Sequence, residues 1–186
     1  MKIGIYGGSF NPIHIGHTSL AQSLVHQGLV DEVWLLVSPL NPLKQNAKGA
    51  IASYAHRLRM ARIATSGIEG VRVSDFEKRL PVPSYTVHTL EALSKAYPQH
   101  QFSLVIGADN WMSFDKWYKA EEIKERYPIL VYRRPGYEAN DVECVDTPLF
   151  DISSTQIRSA ISEGASTEGM ISDRVREYID SHHLYS

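Results

Sequence analysis

Short, nearly unbroken apolar runs alternate with longer stretches of helical period along most of this sequence. Val33-Trp34-Leu35-Leu36-Val37 and Leu104-Val105-Ile106 contain no polar residue, so neither has a face suited to water, and both read as strands covered on both sides. Strand-like runs at 2–6, 31–37, 71–74, 102–106 and 128–132, with a weaker one at 142–145, are separated by helix-like stretches at 15–27, 54–65, 86–97 and 119–126. Strands alternating with helices of that length predict βαβ units and an α/β fold with an open, doubly wound parallel sheet. In such a sheet ligands bind outside the carboxyl ends of the strands, and several polar segments of this chain follow its strands directly.

The end of the chain reads differently. Ile152-Ser153-Ser154-Thr155-Gln156-Ile157 has a capping box, with Ser153 as N-cap and Gln156 three places on, and Ile152 and Ile157 are spaced as a hydrophobic staple. A further helix is expected at about 173–181, so the sheet carries a small helical end over about 152–186. At 186 residues the whole suits one domain.

Composition narrows the classes of function. A net charge of −2 argues against a nucleic-acid partner, because such domains usually present a strongly basic face. Cys144 is the only cysteine, which rules out an intrachain disulfide. The opening apolar run is broken by Gly7 and Gly8 too early for a signal peptide, and no run approaches the roughly 20 apolar residues that span a bilayer. A cytoplasmic protein with no membrane association is expected; self-association as a homo-oligomer is left open. The Pro-, Asn-, Lys- and Gly-rich loop 38–52 is expected to be the most mobile element.

Two segments carry the chemistry. Gly7-Gly8-Ser9-Phe10-Asn11-Pro12-Ile13-His14-Ile15-Gly16-His17 runs from the first strand into a helix whose free N–H groups and positive dipole end favour phosphate. His14 and His17, three residues apart, face the same side. They can donate hydrogen bonds to a phosphate chain as charge grows on its oxygens, and Gly16 leaves the surface between them bare. The same pair could instead be incidental turn residues, or zinc ligands, although no Cys, Asp or Glu stands nearby to complete a metal site. The second segment is the capped helix at Ser153, where Thr155 and Arg158 lie one turn apart, off the apolar face. A hydroxyl, free N–H groups and an arginine fork suit a phosphate; an ordinary capped surface helix is the plain alternative.

Together these blocks resemble the H-x-G-H nucleotidyltransferases, and among them the bacterial nicotinate-nucleotide adenylyltransferases, almost end to end. The likeness runs through Ser38-Pro39-Leu40-Asn41-Pro42-Leu43-Lys44, Pro83-Ser84-Tyr85-Thr86, Ile106-Gly107-Ala108-Asp109-Asn110, Lys116-Trp117-Tyr118 and Arg134-Pro135-Gly136. It then takes in Ile152-Ser153-Ser154-Thr155-x-Ile157-Arg158 and the closing Val175…Tyr178-Ile179…Leu184-Tyr185.

The resemblance implies a Rossmann-like sheet and adenylyl transfer from ATP to nicotinate mononucleotide, with Mg2+ carried by ATP and no metal site of the protein's own. It implies that Gly8, Ser9 and Phe10 cradle ATP, that His14 and His17 contact its phosphates, that Gly107 also binds ATP, and that Asp109 lies near its ribose. Ser153, Thr155 and Arg158 would hold its phosphate tail, with His14, His17 and Arg158 as the catalytic set. Lys44 and Arg134 would reach phosphate, and Tyr85, Thr86 and Trp117 would frame the pyridine ring. A packing role for Trp117, a strand-end cap for Asp109, and plain solvation for Lys44 and Arg134 are the simpler alternatives. His88 reads as a helix-surface residue. Phosphopantetheine adenylyltransferase shares the opening motif and the Ser-Ser-Thr helix, and a nucleotide sensor without catalysis is the rival from another class.

Overall fold

The computed structural model describes residues 1–39 and 51–186. Lys44 and most of the 38–52 loop lie outside the described residues. Among the described residues, five strands form one sheet: β1 (Lys2–Gly8), β2 (Glu32–Val37), β3 (Val71–Ser74), β4 (Gln101–Gly107) and β5 (Ile129–Tyr132). Their order is β3-β2-β1-β4-β5, and every neighbouring pair is parallel. The helices α1 (Ile15–His26), α2 (Tyr54–Thr65), α3 (Thr86–Ala96), α4 (Ala108–Trp111) and α5 (Ala120–Arg126) lie between strands in the chain, and α6 (Ser154–Ser162) and α7 (Asp173–Ser181) close it.

The unbroken apolar run of β2 is explained by what covers it. Side chains alternate across a strand, and Val33, Leu35 and Val37 pack with Leu20 and Leu24 of α1, Met60 of α2, Ile157 of α6 and Ile179 of α7. Trp34 and Leu36 enter the other layer with Val87, Leu90 and Leu93 of α3 and Ile123 of α5. All six residues of β2 are buried, which at roughly 1.5–3 kcal/mol for each large aliphatic side chain makes this strand the spine of the fold.

Where the sequence reading and the structure differ, the reasons are local. Pairing of β1 continues past Tyr6 through both glycines, Gly7 opposite Leu36 and Gly8 opposite Val37, so the strand delivers the glycines to the sheet edge. The expected strand at 142–145 reduces to one bridge between Val145 and Tyr132; Pro148, which has no N–H to donate, follows closely, and the ladder goes no further. The short α4 and the 3-10 turns at Phe76–Arg79 and Phe114–Lys116 are no longer than about one turn, too brief for a periodic signal.

From β1 the sheet grows outward through β2 and β3 on one flank and through β4 and β5 on the other. The reversal therefore falls between β1 and β4, and the carboxyl ends of those strands, Gly8 and Gly107, border the crevice that such a reversal opens. The capped helix α6 reaches this crevice because Ile157 and Ile161 anchor it to the β2 layer, and Ser153 and Gln156 form the expected capping box. Ile157 is fully buried. Ile157→Ala is expected to cost about 2–5 kcal/mol in urea unfolding; a loss below about 1 kcal/mol would mean that this contact does not seat the helix.

Candidate active site

A cavity of about 920 Å3 opens at the carboxyl ends of the strands. Its walls come from the loop after β1, the start of α1, the segment after β3, the first turn of α3, and the ends of β4 and β5. Gly8, Ser9, Phe10, His17, Tyr85, Thr86, Gly107, Asp109, Trp117 and Arg134 all line it. Residues from both halves of the sequence thus converge on one space.

The loop from Gly8 to Pro12 is held from several directions. Phe10 takes a left-handed φ of 45°, a strained conformation for a bulky residue. Its ring is buried against Gly8, where an added Cβ would come within 2.9 Å of it, and it meets the His17 ring edge-on at 5.0 Å. Arg57 on α2, with only 1% of its surface exposed, donates to the carbonyls of Ser9 (2.7 Å), Ser38 (2.9 Å) and Ala52 (3.1 Å). Ser154 donates to the Pro12 carbonyl at 2.9 Å, and Arg158 to the Asn11 carbonyl at 2.8 Å. The Asn11 side-chain oxygen accepts from Tyr185 at 2.6 Å and from the Ala52 N–H at 3.0 Å.

His14 and His17 stack with ring centroids 3.6 Å apart. The backbone N–H of His14 donates to Nδ1 of His17 at 3.1 Å, so when the ring is neutral its proton sits on Nε2. Burial, with the neighbouring His14 and then Arg134 as lesser causes, drives the His17 imidazole well below its usual range. Burial first and Arg134 second push His14 down to about 4. Both rings are therefore neutral at pH 7, and His17 faces the cavity as a hydrogen-bond donor rather than a cation. His14 lines a smaller adjoining recess that shares Tyr6, His17, Tyr132 and Arg134 with the main cavity. Gly16 is needed for this arrangement, because a Cβ there would stand 3.0 Å from the His14 ring.

Across the reversal, Asp109 and Arg134 form a loose ion pair, Nε to Oδ1 3.6 Å. A Cβ on Gly107 would overlap the Asp109 carboxylate and crowd Arg134, so glycine lets these two side chains approach the backbone. Beneath them the hydroxyls of Tyr6 and Tyr132 lie 3.2 Å apart. Both phenols are raised above their ordinary range, chiefly by burial. On the opposite flank α3 opens into the cavity with Tyr85 as an N-cap that makes no side-chain bond and no acidic residue in the first turn. Its leading N–H groups have no side-chain cap. Trp117 packs on Phe114 at 5.0 Å.

The chain matches the cytidylyltransferase-like family model over residues 5–160. A protein from Bacteroides thetaiotaomicron assigned as a nicotinate-nucleotide adenylyltransferase is 46% identical, the match covering 96% of this chain and 91% of the relative. One of the same assignment from Flavobacterium johnsoniae is 41% identical over 100% and 99% of the two chains. This chain belongs to the nicotinate-nucleotide adenylyltransferase family. The crystal structure of a relative assigned to that family from Vibrio parahaemolyticus superposes with a TM-score of 0.76 at 30% identity, covering 99% of this chain and 94% of the other. Nicotinic acid mononucleotide adenylyltransferase of Plasmodium falciparum, solved with NaAD, shares the fold at a TM-score of 0.83 and 18% identity, over 99% and 97% of the chains.

The family's Ser-Ser-Thr segment sits differently from the other blocks. Ser153 spends its hydroxyl on the helix cap, accepting from the Gln156 N–H at 3.2 Å and donating to the Gln156 side chain at 3.0 Å. Thr155 accepts from Arg158 at 3.2 Å. None of Ser153, Thr155 and Arg158 is among the residues lining the cavity, whereas Ser154 is. His88 is exposed, as expected for a helix-surface residue, its ring edge-on to Tyr85 and Tyr118. Sequence reasoning missed Arg57, Asn11, Tyr132 and Glu77. The signal for Arg57 was present: it shares the stripe of Met60 and Ala61, where an arginine is out of place unless it is bonded.

A histidine whose pKa is lower folded than unfolded leaves the unfolded chain binding the extra proton. Stability therefore falls as pH drops from about 6.5, the unfolded value, toward about 4 for His14, a contribution on the order of 3 kcal/mol. Urea unfolding across that window should show the loss in the wild type and a shallower slope in His14→Gln; identical slopes would contradict a neutral, buried His14.

Proposed function

We propose that this chain transfers the adenylyl group of ATP to nicotinate mononucleotide, giving nicotinate adenine dinucleotide and pyrophosphate, a step in NAD biosynthesis. The observation that carries this reading is one cavity with the His17 loop on one flank and the uncapped N-terminus of α3 on the other, both suited to an anion. Relatives more than 40% identical along nearly their full length bear that assignment.

The reaction forms a bond from the mononucleotide's 5′-phosphate oxygen to the α-phosphorus of ATP, and breaks the bond from that phosphorus to the oxygen leaving with pyrophosphate. The attacking oxygen is already ionised at neutral pH, so no general base is required, and positioning with electrostatic stabilisation carries the catalysis. Gly8, Ser9 and Phe10 offer backbone to ATP, and Phe10 offers little else because its ring is buried. His17 donates through Nε2 to the phosphate oxygens, with His14 stacked behind it to fix the ring plane. Arg134 supplies a permanent cation, and Gly107 and Asp109 receive the ATP ribose. Ser153, Thr155 and Arg158 act at the triphosphate tail, with Arg158 exchanging its bond to Asn11 for phosphate. Lys44 remains assigned to phosphate by resemblance alone.

Mg2+ does not fit a cage of this chain: among the described residues no three His, Cys, Asp or Glu side chains converge on a point. The ion would arrive on the triphosphate.

Nicotinate and nicotinamide mononucleotides differ by a carboxylate against an amide. The uncapped N–H groups of α3 at Tyr85 and Thr86, at the positive end of a helix dipole, suit the carboxylate. Two charge-assisted bonds give a preference on the order of 100-fold, while Trp117 stacks on either ring. Purified protein supplied with ATP and each mononucleotide should therefore form the acid dinucleotide at least tenfold more efficiently, and Trp117→Ala should weaken both substrates equally. Equal efficiency would remove the specificity claim; no dinucleotide or pyrophosphate from either would remove the proposed function. His17→Ala should lower turnover about 100-fold, the scale of one lost transition-state donor, with folding retained by circular dichroism. Near-normal turnover would take His17 out of the mechanism.

A further inference from the structure

Two carboxylates line the cavity, Asp109 and Glu77, and they stand on opposite sides of the central strand. Asp109 follows β4, whereas Glu77 lies in the 3-10 turn just beyond β3, on the flank shared with Ser38, Tyr85 and Thr86. Glu77 is buried, with 9% of its surface exposed. Thr89 of α3 donates to its Oε1 at 3.2 Å, and the Ser38 hydroxyl is a second donor. Burial raises its pKa, and the two donors leave part of the acceptor capacity of a carboxylate, about four sites, unused at the cavity wall.

The substrates set the chemical requirement. The mononucleotide's phosphate and pyridine carboxylate are anionic acceptors, and a carboxylate beside either would repel it. Its only strong donors are the two ribose hydroxyls. ATP brings a second ribose, which the reading above gives to Asp109 on the far flank. Two substrates therefore bring two diols, and the cavity holds two carboxylates, one per flank. We propose that Glu77 accepts hydrogen bonds from the ribose hydroxyls of the mononucleotide, which makes it a binding and specificity residue for the acceptor substrate. This inference rests on the adenylyltransferase reading.

The experiment compares kcat/KM for nicotinate mononucleotide and its 2′-deoxy and 3′-deoxy forms, at saturating ATP, in the wild-type chain and in Glu77→Gln. A site built to bond a hydroxyl rejects a substrate lacking it, and bonds to a charged acceptor set the scale at about 10- to 100-fold. The wild type should lose that factor on at least one deoxy form. Glu77→Gln should lose a similar factor on the parent substrate and then discriminate less than about threefold between parent and deoxy forms. The ratio of ATP to 2′-deoxy-ATP should be the same in both proteins. Equal discrimination by both proteins, or a change confined to the ATP ratio, would overturn the assignment, since a residue that merely braces α3 has no reason to sense a substrate hydroxyl. Glu77→Asp, which keeps the charge but withdraws it by one methylene, gives the same readout if Glu77→Gln melts early. Absence of any dinucleotide from the wild type would instead sink the adenylyltransferase reading, so the two failures are distinct.

Discussion

Arg57 sits almost wholly out of water and gives its guanidinium to three backbone carbonyls, those of Ser9, Ser38 and Ala52. Two of these belong to the loops that leave β1 and β2, which the Ser38 N–H, donating to the Gly8 carbonyl at 2.9 Å, also ties together. Removing a charge this far from solvent is costly, and the structure meets that cost only because several charge-assisted bonds are made at once. The network continues through Asn11, which faces Arg158, Tyr185 and the Ala52 N–H. Strain at Phe10 is tolerated inside this frame; such conformations persist where surrounding structure over-determines them.

Among the described residues, the cavity that this frame supports contains little positive charge that is not already engaged. His14 and His17 are neutral, Arg134 leans on Asp109, and Arg158 is engaged with the backbone. What remains is a set of oriented dipoles: the His17 ring, the N–H groups after Gly8, and the opening turn of α3. Dipoles held in place by a rigid frame need not reorganise when charge moves, which is the property that stabilises a transition state in a water-poor site. Neutral donors also bind polyanions less indiscriminately than a cluster of cations would, since geometry rather than charge then selects the ligand.

Much of this was legible in the sequence, for identifiable reasons. The parallel sheet followed from apolar runs such as Val33–Val37 that leave no face for water, and the glycine-histidine loop from its place after the first strand. The capping box at Ser153 and Gln156 was readable because it is written in adjacent residues. Arg57 and Asn11 were not, because their partners are carbonyls and side chains supplied by distant segments, and the sequence does not display which carbonyls converge. The same holds for Tyr132, whose partner Tyr6 lies 126 residues away. Neutral histidines were also beyond reach, since their state is set by burial and by each other. The inward turn of Arg158 toward Asn11 depends on where α6 docks, which tertiary packing decides.

The bonds from Ser154, Arg158 and Tyr185 to the loop at Asn11 and Pro12 span 142, 147 and 174 residues of sequence. Contacts this distant close a long stretch of chain before they reward it, so retention of the glycine-rich loop is a non-local event in folding. A change at Tyr185 would therefore be felt beside His14, far away in sequence, as a loosening of the loop rather than as a local loss.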